Sequence, residues 1–214
     1  MLECRTYSYQ ELSAYLKTTS PKGIKTKLRN YEVEFESTGR GDRSTYQITA
    51  INDPFKVFAV FDLEASPQTD FHKFSYFVYL ILTDDKFCGM GAEMMEEHLR
   101  TSVCQMSRQT IAKYIRRLTD FNLIDFTSEF VYYKVYKKYG VQTHDVISRE
   151  EYSAAWRIYW ECKDEGYSTG GAFQTMYNWF GGVPRKQKLI EKNGIYNDLI
   201  EWVVGILIED YGVE

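Results

Sequence analysis

Apolar positions in the middle of the chain recur at helical spacing. In the stretch FHKFSYFVYLILTDD, Phe74, Phe77, Val78, Ile81 and Leu82 fall at intervals of three and four, and Asp70 stands where an N-cap belongs. The helix this predicts is nearly apolar all round, as suits the first helix of a three-helix core. A glycine-containing break follows at residues 87–91, and residues 92–102 form a second short helix. Met94, Met95 and Leu99 point inward there, with Glu93, Glu96, Glu97 and Arg100 outward. In the third helix Ile111, Tyr114, Ile115 and Leu118 fall at i, i+3, i+4 and i+7, a buried stripe opened by Ser107 as N-cap. It ends near Asn122. Residues 123–126 then begin a strand, 127–129 read as a short hairpin loop, and 130–136 return as a second strand.

The first fifty residues repeat this logic with fewer parts. Leu12, Tyr15 and Leu16 mark a short helix from Tyr9, and Ser8 with Glu11 has the spacing of a capping box. A second helix follows Pro21 and carries Ile24 and Leu28 inside, with Lys22, Lys25, Lys27 and Arg29 outside. Residues 33–36 alternate as a strand, 37–43 turn, and 45–49 return. The tripeptide Arg40-Gly41-Asp42 is read as turn chemistry. Residues 51–69 are too apolar for a flexible tether and are expected to be a packed connector.

Beyond the hairpin, Ser148 and Glu151 form another capping box, opening a helix to about residue 165 with Tyr152, Ala155, Trp156 and Tyr159 inward. Residues 172–180 form a short aromatic helix ended by Gly181. Residues 185–188 are a basic knot, and 197–211 a final helix. The aromatic density of these helices is read first as core, with a homodimer interface through them as the alternative.

Charge alters this picture. The chain of 214 residues carries a formal net charge of -4, which is not that of a nucleic-acid binder as a whole. The acidic excess, however, sits toward the end: residues 141–214 hold 7 Lys/Arg against 12 Asp/Glu. Between 105 and 140 the balance reverses, with 7 basic residues (Arg108, Lys113, Arg116, Arg117, Lys134, Lys137, Lys138) against Asp120, Asp125 and Glu129. Screening confines each phosphate contact to about 10 Å, so a local basic face on a net-acidic protein is compatible with DNA binding. No apolar run approaches a membrane span and no leader pattern opens the chain, so the expected setting is cytoplasmic, without a membrane partner. The four cysteines lack Cys-x-x-Cys spacing and are expected to be reduced, mostly buried thiols.

The string Ser107-x-x-Thr110-Ile111-x-x-Tyr114-Ile115-x-x-Leu118-x-x-x-Asn122-Leu123-Ile124 resembles the recognition helix and first wing strand of bacterial winged helix-turn-helix proteins. The resemblance covers about a third of the chain. It implies that Arg108, Gln109, Thr110 and Lys113 face the major groove of double-stranded DNA, with Arg117 nearer phosphates and Arg116 on the same outer surface. Asn122 stands where the family has a glycine, and still tolerates a left-handed backbone. Residues 8–49 are similar to the excisionase-like winged helices of phage proteins. That resemblance implicates Lys25 and Arg29 on the helix, and Arg40 and Arg43 at a basic hairpin tip. Two such units joined by a packed connector are similar in layout to plasmid replication initiators. The alternative is a winged-helix module that docks proteins without binding DNA.

Other chemistry has little support. The histidines are isolated, and in the cluster Glu93, Glu96, Glu97 and His98 the pair Glu96 and Arg100 suits a surface contact better than a metal. No phosphate-binding loop or nucleophile motif occurs, so neither enzymatic activity nor a cofactor is expected. The expected fold is mainly α with small β-hairpin wings (α+β). It comprises a winged unit over 1–50, a connector over 51–70, a second winged unit over 71–140 and a helical segment over 141–214.

Overall fold

The computed structural model describes residues 1–193, 202–207 and 209. The chain is a mixed α+β protein with two three-stranded antiparallel sheets, and it divides into two compact units, Met1–Ser75 and Tyr76–Glu214.

In the first unit, α1 (Tyr9–Tyr15) and α2 (Pro21–Asn30) precede the hairpin of β2 (Val33–Thr38) and β3 (Thr45–Ile51). Both helices start as expected. Ser8 and Glu11 form the reciprocal capping box, and Ser20 caps α2 ahead of Pro21. A three-residue strand, β1 (Thr6–Ser8), pairs with β3 and completes the sheet in the order β1-β3-β2. Leu12, Leu16, Ile24, Leu28, Tyr46 and Ile48 form its core. The connector is not irregular: Asp53 caps a helix, α3 (Pro54–Phe61), which buries Phe55, Val57, Phe58 and Ala59. The signal was present in the sequence as an acid followed by Pro at the first helical position.

In the second unit, α4 (Phe71–Thr83, its first residues in the first unit) starts as expected, with Asp70 Oδ1 accepting from the Lys73 N–H at 3.1 Å. Then follow α5 (Asp85–Cys88), α6 (Ala92–His98) with a 3₁₀ turn at Leu99–Thr101, and α7 (Arg108–Asp120). Phe77 is fully buried and meets Phe87 at 5.8 Å and Tyr114 at 5.6 Å between ring centroids, joining α4, α5 and α7. Ile111, Tyr114 and Leu118 of α7 are buried; Ile115, expected in the same stripe, is only half-buried because it borders an open groove.

The sheet of this unit differs from the expected hairpin. Residues 127–129 are not a turn; β4 (Ile124–Lys138) runs through them as one long strand. The turn lies later, at Tyr139 and Gly140, and β5 (Val141–Ile147) returns from it. After α8 (Arg149–Asp164) and α9 (Thr169–Phe180), the stretch read as a basic knot is a strand, β6 (Val183–Lys192), pairing with the other edge of β4. The ladder shifts register between Phe126 and Phe130, so the polar residues that look like a loop are an irregularity in one strand. The segment after residue 140 is therefore not wholly helical. Of the expected final helix over 197–211, residues 202–207 are helical; 197–201, 208, 210 and 211 lie outside the described residues.

Cys88, Cys104 and Cys162 are buried, as expected, whereas Cys4 is exposed. Burial pushes the Cys88 thiol up to about 11. Among the described residues no helix is long and apolar enough to cross a membrane.

Candidate nucleic-acid interface

The candidate surface is built on α7. Ser107 Oγ accepts from the Thr110 N–H at 3.3 Å, which fixes where the helix begins. The core stripe then decides which residues remain outside. With Ile111, Tyr114 and Leu118 buried, Arg108, Gln109, Lys113 and Arg116 are all exposed.

Two of the expected residues are otherwise engaged. Thr110 is half-buried and its hydroxyl lies 3.0 Å from Ser107 Oγ, so it belongs to the cap. Arg117 is also half-buried, and its guanidinium sits over the Phe121 ring at 5.8 Å. Glu96 does not serve as a partner for Arg100. Its Oε1 accepts from the Arg108 N–H at 3.0 Å, where the positive end of the helix favours an anion. Asn122 adopts the left-handed conformation expected of it, with φ 55°.

The sheet supplies what sequence reasoning did not assign to this surface. Alternation along β4 sends Tyr132 toward α8, where its ring meets Tyr152 at 4.9 Å, and Tyr133 toward the opposite face. The buried Tyr133 hydroxyl donates to the Gly89 carbonyl, and burial pushes its pKa up to about 12. Arg185 of β6 pairs in register with Tyr133 and shares its face. Between this face and α7 runs a groove of about 840 Å³ lined by Arg108 and Arg116 from α7 and by Arg185 from β6. Its apolar floor includes Ile115, Phe126 and Val135; Asp120 and Glu93 are its acids. Lys186 pairs with Tyr132 and so lies on the opposite face, its ammonium 4.6 Å from the Phe130 ring centroid.

Nearly seventy residues separate Arg116 from Arg185, so no local pattern could have joined them. The one available signal was the charge of residues 185–188, which suits an edge strand as well as a loop.

In the other unit, Arg29, Arg40 and Arg43 are exposed and Lys25 is half-buried. Arg40 and Arg43 occupy the expected hairpin tip, where the 3₁₀ turn Gly41–Arg43 joins β2 to β3. Gly39 has φ 82°, and a Cβ there would stand 2.6 Å from the Arg43 carbonyl oxygen, so the tip requires glycine at that position.

Among the described residues no three His, Cys, Asp or Glu side chains gather as a metal ion would require. No known family, curated protein or solved structure matches this chain.

Proposed function

We propose that this chain is a DNA-binding protein of winged-helix type, a transcriptional regulator or replication initiator such as phages and plasmids carry. In this reading α7 enters the major groove and the β4–β5 hairpin flanks it as the wing. The observation that carries the reading is the single outer face of α7. Four side chains suited to phosphate or base-edge contact, Arg108, Gln109, Lys113 and Arg116, project there into solvent while the opposite face is locked into the core. Arg185 extends the positive surface across the groove, where a phosphate backbone would lie. The six-residue linker from the 3₁₀ turn to α7 (residues 102–107) is longer than the tight turn usual in helix-turn-helix pairs, a departure this reading accommodates as an elaborated connection.

The test is retention of a sheared genomic fragment library by the full chain at about 50 and about 200 mM salt. Retention is expected to fall with salt, and the variant Arg108→Ala/Lys113→Ala is expected to lose about tenfold or more of the affinity while keeping its helical circular dichroism. A folded double variant that binds like the parent removes α7 from the interface.

A second reading rests on a different surface. Trp160, Tyr167 and Trp179 of the α8–α9 region are about half exposed, at 60%, 48% and 58%. Such aromatics suit a protein partner, including a second copy of the chain in a homodimer through these helices. A chain acting only as a docking module would retain no DNA even at about 100 mM salt. A homodimer would double the scattering mass, with or without DNA.

A further inference from the structure

The β4–β5 hairpin reaches beyond the third strand of its sheet. β4 pairs with β6 only as far as Val135, whereas its rungs with β5 continue, Tyr136 with Thr143, Lys137 with Gln142 and Lys138 with Val141, up to the turn. These rungs and the turn make a two-stranded arm of about 10 Å. Between Phe130 and His144 the sequence holds no Asp or Glu. Two acids stand at the base of the arm, and both are engaged. Glu93 Oε1 accepts from Gln142 Nε2 at 2.9 Å, and Asp145 lies 3.8 Å from Lys134 Nζ. Further out, Lys137 and Lys138 are exposed.

The fold does not account for the residue at the tip. Tyr139 is 95% exposed and has φ 53°, a left-handed backbone that a bulky side chain adopts at a cost and that Asn or Gly adopts more readily. At that exposure its ring gains almost no packing in return. The Lys138 ammonium lies 6.0 Å from the ring centroid, so cation and ring are presented together. Where local preference and the residue present disagree at an exposed position, function rather than stability sets the choice.

We infer that Tyr139 stacks on an unpaired base of bound DNA, with Lys137 and Lys138 on the flanking phosphates. This contact rests on the DNA-binding reading above and adds to it, because a wing lying on the backbone uses the lysines and has no need of the ring. Both faces of the exposed ring are open to a nucleobase, and such stacking is tolerant of sequence because every base has a π-face. In an intact duplex those base faces are taken by neighbouring pairs, so the ring reaches a base where the stack is interrupted.

The experiment titrates the full chain at about 50 mM salt against two duplexes of one sequence, one intact and one carrying a single unpaired 5-iodo-2′-deoxyuridine. The interrupted duplex is expected to bind about fivefold or more tighter than the intact one. Long-wave irradiation is expected to crosslink the iodouracil to Tyr139, as read by mass spectrometry. Tyr139→Asn, which suits the turn, is expected to fold and to bind both duplexes equally, with the parent's affinity for the intact one; Tyr139→Phe keeps the preference. Lys137→Ala/Lys138→Ala also keeps the preference while flattening the slope of log affinity against log salt by about two. The assignment is overturned by a parent that binds the two duplexes equally, by a Tyr139→Asn variant that retains the preference, or by crosslinks that map elsewhere. In each of these cases DNA binding itself still stands. A chain that binds neither duplex removes the DNA-binding reading and this contact with it.

Discussion

Ser8 and Ser148 open their helices with the same reciprocal device. Each hydroxyl accepts from the N–H three residues on, at 3.2 and 3.1 Å, and each N–H donates back to the Glu11 or Glu151 carboxylate, at 2.7 and 2.8 Å. The backbone N–H of the serine holds both carboxyls below the ordinary glutamate range near 4.5. Because the folded pKa lies below the unfolded one, each box stabilises its helix above the unfolded pKa, and that contribution disappears as pH falls through the folded value. Carboxyl ¹³C titration should place Glu11 and Glu151 below 4.5, with the Glu151 amide losing exchange protection over the same interval. An ordinary midpoint for Glu151 would contradict the box. The Ser107 cap lacks this feature, since Thr110 occupies the third position, and it draws its negative charge from Glu96 on another helix.

Elements whose signals are local were legible in the sequence. Helix α7 follows from Ser107 and a stripe of three core residues; the hairpin β2–β3 follows from alternation around a glycine-bearing turn. The second sheet was misread because β4 owes its length to a strand nearly sixty residues later. Thr127, Ser128 and Glu129 look like a turn in isolation, and only pairing of flanking Phe126 with Ile190 and Phe130 with Lys188 carries the strand past them. The same long-range pairing hid Arg185 from the candidate site. The true turn also had a weak signature: Tyr139 and Gly140 both have positive φ, 53° and 80°, the conformation of a two-residue hairpin turn that favours Asn-Gly. Tyr139 is 95% exposed, so its side chain adds little packing to offset the left-handed backbone. Tyr139→Asn should therefore raise stability by roughly 0.5–1 kcal/mol, and Gly140→Val should lower it by about 1–2 kcal/mol. Urea unfolding of the two variants gives the answer. Equal midpoints for both would mean that the turn contributes nothing to the stability of the β4–β5 pairing.

For the molecule as a whole, a net charge of -4 means that the proposed DNA binding would depend on where cations are exposed rather than on their number. Each unit offers such a place, α7 in Tyr76–Glu214 and the hairpin tip in Met1–Ser75, and they make separable demands on salt dependence. Every phosphate neutralised releases counterions and steepens the slope of log affinity against log salt by about 0.9. If both units engage a duplex, Arg40→Ala/Arg43→Ala should flatten the slope by about two while leaving sequence preference intact, because tip residues on the backbone read no bases. Arg108→Ala should instead weaken discrimination between fragments, since groove-facing arginine reads guanine edges. Titration of the full chain and both variants on one retained fragment and one random fragment, over a salt series, separates these effects. An unchanged slope in the tip variant would assign DNA contact to the second unit alone, and the exposed arginines of the first unit would then be ordinary surface charge.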